Sequence, residues 1–268
     1  MPLSSLLYMT PGRWVHLAAR YGRSWWRMLH LGAVALVMAL SSSTWNRANR
    51  LATSRHIHAS TWQVLPWFTL LTALVSLVII RIVLVTAQSY GLSRFALEMV
   101  VRVLVLELIP LSAALFAALR AGMAFDASAM GLARSGVPAD LATGETLLRL
   151  RRDLVPQVLA NAFSVLSLAM ASSVVVLLLA YVNVYGLSPW GLGDYTRTVG
   201  RVFDPAVTVG FVFKTVLFGL AVAVIPSAAM LEMLRHGRRQ RSNVQPGALR
   251  LLFVLLLIEA SSLAVKYI

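Results

Sequence analysis

The sequence predicts an all-α, polytopic membrane protein, with five transmembrane helices preceded by an interfacial or half-inserted N-terminal helix. Three observations predict it. Hydrophobic residues make up 59% of the 268, and the mean hydropathy is +0.76. Charged residues make up 13%, about half the share of an ordinary soluble domain. The apolar residues also gather in five runs, each of about 20 residues or more, enough to cross a hydrocarbon core of about 30 Å.

The N-terminal region, residues 1–60, is expected to be cytoplasmic, interfacial and amphipathic. Its apolar piece, Leu31 to Leu40 (LGAVALVMAL), is too short to span. It follows RYGRSWWRMLH, which suits a helix at head-group depth. Trp25 and Trp26 would sit among the head groups, with Arg20, Arg23 and Arg27 toward phosphates. A signal peptide is the rival reading. A basic lead this long and the Ser41-Ser42-Ser43-Thr44-Trp45 sequence, a poor cleavage site, count against it.

The transmembrane domain is expected over residues 61–268. Its spans run roughly from Thr61 to Ala87, Phe95 to Leu119, Leu154 to Tyr181, Val207 to Leu231 and Gly247 to Tyr267. Arginine sets their direction. Arg47, Arg50 and Arg55 precede the first span, Arg134, Arg149, Arg151 and Arg152 lie between the second and third, and Arg235, Arg238, Arg239 and Arg241 lie between the fourth and fifth. The other two connections are poorer in Arg. The positive-inside rule then puts the N-terminus in the cytoplasm and, across five spans, the C-terminus outside.

The cytoplasmic connection 121–153 is expected to be a loop whose second half, ETLLRLRRDLVP, forms a short amphipathic helix along the membrane. It is read either as a solvated connector or as a docking element for a cytoplasmic partner. The outer connection, VYGLSPWGLGDYTRTVGRVFDP, is rich in Gly, Pro and aromatic residues and is expected to order against head groups.

Composition also excludes classes of function. The net charge of +14 would suggest nucleic acid in a soluble protein, but here the Arg residues flank apolar runs and serve topology and anionic lipid, so no nucleic-acid partner is expected. The absence of Cys removes thiolate catalysis and Cys-bound metals. The His residues (His16, His30, His56, His58 and His236) all lie outside the five runs, no H-E-x-x-H or Walker sequence occurs, and the Asp residues lie in or near connections. No cofactor, metal site or catalytic residue is expected.

The informative residues are the ionisable ones inside the runs, which are costly by about 2.5–3.5 kcal/mol each at a helix centre and must face protein or water. Glu98 and Arg102 are spaced to pair on their own helix. Glu107 and Lys214 have no partner in their own segments, and Glu259 is similar. A structural pair between helices and a polar cavity for an amphiphile are both compatible with that pattern.

The stretch LELIPLSAALFAALRAG, Leu106 to Gly122, resembles the signature of the MlaE/YrbE-type permease family. That signature is a REL-G-P block followed by a G-R-[SA]-G turn. Glu107, Leu108, Pro110, Arg120 and Gly122 match it, while Leu106 stands in place of the usual Arg and Ile109 in place of Gly. FVFKTVLFGLAVAVIPS is similar to the family's fourth span, with Lys214 at its Lys, and Glu259 matches an acidic residue in the last span.

The resemblance implies a non-catalytic permease subunit of an ABC transporter in the bacterial inner membrane, with a periplasmic C-terminus. Such a subunit moves phospholipid or a related lipid to or from a periplasmic MCE-domain protein. Glu107, Lys214, Glu259 and Pro110 would line or brace the lipid cavity. The resemblance also implies a second permease subunit, giving a homodimer or a paralogous heterodimer. A cytoplasmic ATPase, with a STAS-domain protein possible beside it, would contact Gly131, Arg134, Glu145, Arg149, Arg151 and Arg152. Ser128 in place of the family's Glu, and a missing Asp-Pro pair, set this connection apart. The alternatives are an intramembrane lipid-modifying enzyme and a non-transporting scaffold.

Overall fold

The computed structural model describes residues 57–134, 144–235 and 247–267, together with a few isolated positions nearer the N-terminus. Within them the chain is helical, with short turns between helices. A π-helical turn at His58–Trp62 leads into α1, Leu65–Ser89. The second span is composite: α2, Ser93–Val100, then a π-helical segment, Val101–Leu108, then α3, Ile109–Arg134. α4 is Gly144–Tyr185, α5 is Leu192–Val202 after a 3₁₀ turn at Pro189–Gly191, α6 is Pro205–Arg235 and α7 is Ala248–Tyr267.

Five stretches are long and apolar enough to cross a membrane: Leu65–Ser89, Phe95–Ala121, Val158–Tyr185, Pro205–Ala229 and Ala248–Val265. The five expected spans are therefore present, with ends shifted by a few residues. The first begins later because Pro66, tolerated in a first helical turn for want of an N–H, marks the start of α1.

The connection 121–153 differs from expectation. Its backbone is helical up to Arg134 and again from Gly144, and it continues α3 and α4 rather than forming a separate helix. The Arg120-Ala121-Gly122 motif is accordingly helical, not a turn. Of the N-terminal head-group residues, Trp26 is described, helical and exposed. Arg20, Arg23, Trp25 and Arg27 lie outside the described residues.

Glycine makes the reversal between the first two spans. Gly91 has φ +69° and ends α1 with paired backbone bonds, Leu92 N–H to Ala87 O at 2.7 Å and Gly91 N–H to Gln88 O at 3.1 Å. These satisfy carbonyls that a helix end leaves bare. Gly186, with φ +66°, similarly ends α4.

α6 is the central helix and packs on α3, α4 and α7, while α1 packs on α4. Close approach of α6 to α4 depends on Gly219, where a Cβ would stand 2.9 Å from the Ala162 carbonyl oxygen. Small residues at such crossings let membrane helices make van der Waals contact along the backbone.

Buried apolar residues form separate clusters toward the two ends of the bundle. One gathers Leu84, Leu97, Val101, Leu104, Val176 and Val202 near the Gly91 end. The other gathers Ala117, Phe218, Val222, Ile225 and Leu251 toward the opposite end, where Gly247 opens α7. α7 is peripheral, with only 11% of its span buried against 50% for the second span, so most of its apolar surface is left for lipid or another subunit.

Candidate functional site

Lys214 is the buried centre of the site. It lies on α6 between the two apolar clusters and is 3% exposed. An ammonium in that position is tolerated only if its protons and charge are met. Glu107, at the end of the π-helical segment, accepts a hydrogen bond from Nζ through Oε2 and forms an ion pair with it. Glu259 Oε2, from α7, stands 2.8 Å from the same nitrogen in an ion pair that lacks hydrogen-bond geometry. Three separate spans thus contribute one charge each to a single cluster.

The ammonium's remaining contacts come from backbone and ring. Nζ approaches the Leu106 carbonyl oxygen at 3.4 Å, and the Phe218 ring lies 5.8 Å away, one turn along α6. Pro110 explains why that carbonyl is available. In an α-helix the Leu106 oxygen would accept from the N–H of residue 110, and proline has none. The missing bond falls just past the π-helical segment, a widened turn that is frequent at functional sites. Lys214 thereby takes a place that the i+4 backbone donor cannot fill, and irregular bonding at membrane depth is tolerated because it is enclosed by protein.

Beside the cluster lies a cavity of about 610 Å³ between α6, α7 and the π segment. Leu106, Glu107 and Lys214 form its polar pole, with Ser261 and Ser262 on α7; Gly210, Phe211, Phe213 and Leu217 are among its other lining residues. A long apolar wall with a few convergent polar groups is the usual make-up of a small-molecule site.

The structure brings together Glu107, Lys214 and Glu259, with Pro110 buried behind them. Glu98 and Arg102 pair on their own span at 2.8 Å, as their spacing predicts. Gly131 and Arg134 lie near the end of α3, and Glu145, Arg149, Arg151 and Arg152 near the start of α4. These positions lie beyond the span limits Ala121 and Val158, away from the cluster; their side chains lie outside the described residues. Sequence reasoning missed the Leu106 carbonyl, Phe218 and the serine pair. The first was findable as the residue four before Pro110, and the second as the residue four after Lys214.

Between spans three and four, Tyr195 on α5 donates to the Leu177 carbonyl at 2.8 Å and meets Tyr181 edge-on. Burial pushes its phenol up to about 12.

No curated protein and no solved structure matches the chain. A family match does cover most of it, over residues 53–264, and the family is described as Permease MlaE. The match takes in four spans whole, the fifth to within a residue of its end, and each of the three clustered charges. The chain belongs to the MlaE permease family and is a multi-pass membrane protein, the permease component of an ABC-type transporter.

Proposed function

We propose that the chain moves phospholipid or a related lipid between the bacterial inner membrane and a periplasmic MCE-domain protein. The observation that carries this reading is the placement of the Glu107–Lys214 pair, whose ammonium also meets Glu259, on the wall of a largely apolar cavity at mid-span. A purely structural ion pair needs no cavity. An amphiphile needs both parts, a polar pole for its head and an apolar wall for its chains.

In this reading the N-terminus is cytoplasmic and the cavity lies toward the periplasmic half. The subunit does no catalysis of its own. A separate ATPase engages the helical extensions that carry Gly131, Arg134, Glu145, Arg149, Arg151 and Arg152, with a STAS-domain protein as a further partner. The exposed face of α7 pairs with a second permease subunit, identical or paralogous; its low burial supports that arrangement.

Affinity purification from native membranes, followed by lipid-transfer assays with the wild type and Glu107→Ala, tests the proposal. The expected result is recovery of an ATPase and an MCE-domain protein, with transfer lost in the variant. Isolation of the chain without either partner, together with undiminished transfer by Glu107→Ala, overturns it.

A further inference from the structure

The first span carries a charge on the face that its own bundle leaves uncovered. α1 packs chiefly on α4, turning Ile80 and Leu84 inward, and only 22% of its span is buried. On the side away from Ile80 and Leu84 stand Trp67, Leu71, Leu74, Val78 and Val85, each more than half exposed. Arg81, also exposed, completes the row. The six recur at alternating steps of four and three residues, the spacing of a seam between two packed helices. Arg81 is the one charged residue in α1.

Depth makes that charge costly. α1 is 25 residues long. A helix of that length, centred on a hydrocarbon core of about 30 Å, holds Arg81 about 6 Å from the midplane and about 9 Å inside the nearer surface. That surface lies toward Ser89, the C-terminal end of the helix. A helical Cα–Cβ bond tilts toward the N-terminus. Arg81 therefore leaves the helix toward the midplane, and snorkelling to the nearer head groups runs against its direction.

The other charges within the spans are met inside the bundle. Glu98 holds Arg102, Glu107 and Glu259 hold Lys214, and Arg120 and Arg250 are not without partners. Arg81 has no such partner among the described residues. The chain has no spare carboxylate to send there. Of its ten acidic residues, Glu98, Glu107 and Glu259 lie within spans, and those three are the paired ones. The rest lie in connections, and residues 1–56 contain none. A second copy of the chain has the same shortage.

We propose that the exposed face of α1 docks a transmembrane helix of a different protein, and that an Asp or Glu of that helix pairs with Arg81. The apolar residues of the seam supply packing, and the ion pair fixes the register of the two helices. The inference goes beyond the lipid reading and does not depend on it, since no cargo enters the contact.

The test is photocrosslinking in native membranes, with benzoylphenylalanine placed at Val78 and, separately, at Val85, one turn to either side of Arg81. Cross-linked peptides are identified by mass spectrometry. Both positions are expected to capture the same transmembrane segment of another protein, with an Asp or Glu between the two cross-linked points. Arg81→Met eases insertion and leaves the buried face of α1 untouched. It is expected to lower the yield about tenfold, equivalent to about 1.4 kcal/mol, while Arg81→Lys keeps most of it. Arg81→Glu combined with Lys in place of the captured acid is expected to restore a yield that either change alone loses.

Capture of lipid alone overturns the proposal and marks Arg81 as a head-group contact. Capture of a second copy of this chain, of a segment without an acidic residue, or of nothing overturns it as well. So does a yield that Arg81→Met leaves unchanged. Should Arg81→Met not accumulate, the identity of the segment captured by the chain with Arg81 in place still decides. Lipid transfer is not among the readouts, so failure here leaves the lipid reading standing.

Discussion

Helices α6 and α7 contribute to two cavities, one toward each end of the bundle, and the two differ in chemistry. Toward the Gly247 end lies a cleft of about 300 Å³, bounded by Leu115, Ala118, Leu119, Pro226, Leu251, Leu252 and Leu255. Toward the Gly91 end, next to the π segment, lies the cavity of about 610 Å³ with its buried charges. Among the described residues the first has only apolar side chains, which lipid tails or neighbouring helices can cover at no electrostatic cost. The second is lined by a lysine and a carboxyl group, with Glu259 paired to the same lysine, and each charge opposes insertion. Space alone arises wherever helices of unequal bulk cross. Charge placed beside space needs a further reason, and ligand recognition supplies one.

The largest expected effect breaks the charged region from within. Lys214→Met removes the one cation and leaves two buried carboxyl groups facing each other. Breaking a buried pair in this way destabilises by about 3–5 kcal/mol. Thermal unfolding in detergent is the measurement, and a variant as stable as the wild type would show that the cluster is not an energetic unit. The sharper version replaces all three charges, with Glu107→Leu, Lys214→Met and Glu259→Leu together. Well-packed apolar replacements of buried ion pairs are commonly neutral or stabilising. The triple variant is expected to regain stability but not lipid transfer. Recovery of both would reduce the cluster to a structural pair.

The next effect sets the two cavities against each other. Gly210→Trp in the charged cavity is expected to bring lipid transfer near background with stability unchanged. Leu252→Trp places the same indole at the apolar cleft and is expected to leave transfer close to wild type. Equal loss in both variants would show that transfer depends on helix mobility generally rather than on the charged cavity.

Much of this contrast was legible in the sequence. Five spans followed from apolar run lengths, because backbone satisfaction in lipid leaves a single chain segment little choice but helix. Glu107, Lys214 and Glu259 stood out for the same reason: a charge in a span is costly enough to be informative without a structure. Their joint contact was not legible, because which helix faces which depends on packing at residues such as Gly219 rather than on the charged positions themselves. The π segment was hidden too. VRVLVLEL reads equally well as α-helix, and only Pro110 downstream hinted that its bonding would be irregular. The connection 121–153 was misread as loop and amphipathic helix because Gly and Pro within it suggested breaks, whereas backbone helix persists to Arg134 and resumes at Gly144.

A smaller effect tests how Pro110 supports the charged region. Pro110→Ala restores an N–H that can donate to the Leu106 carbonyl, in competition with Lys214. One added backbone bond contributes about 1 kcal/mol. The variant is expected to unfold at a slightly higher temperature while transferring lipid more slowly, since Lys214 loses one of its anchors. A variant less stable than the wild type would mean that the π segment is held by packing rather than by the missing donor.

The smallest effect lies outside both cavities, at Tyr195. Its phenol, pushed up to about 12, compares with about 10 in an unfolded chain. The raised value means that the neutral, hydrogen-bonded phenol is favoured by the fold. Stability from this group is therefore full below about pH 10 and is lost as pH rises toward 12, where the unfolded chain has already released its proton. Ultraviolet titration of the phenolate, with Tyr195→Phe as the subtraction control, is expected to show the Tyr195 phenolate appearing late, toward pH 12. Lipid binding should not change across that range if the charged cavity works independently of α5. Binding that falls in step with Tyr195 ionisation would tie the cavity to the neighbouring helix, through Phe211, which lines the cavity and packs against the same apolar cluster as Tyr195.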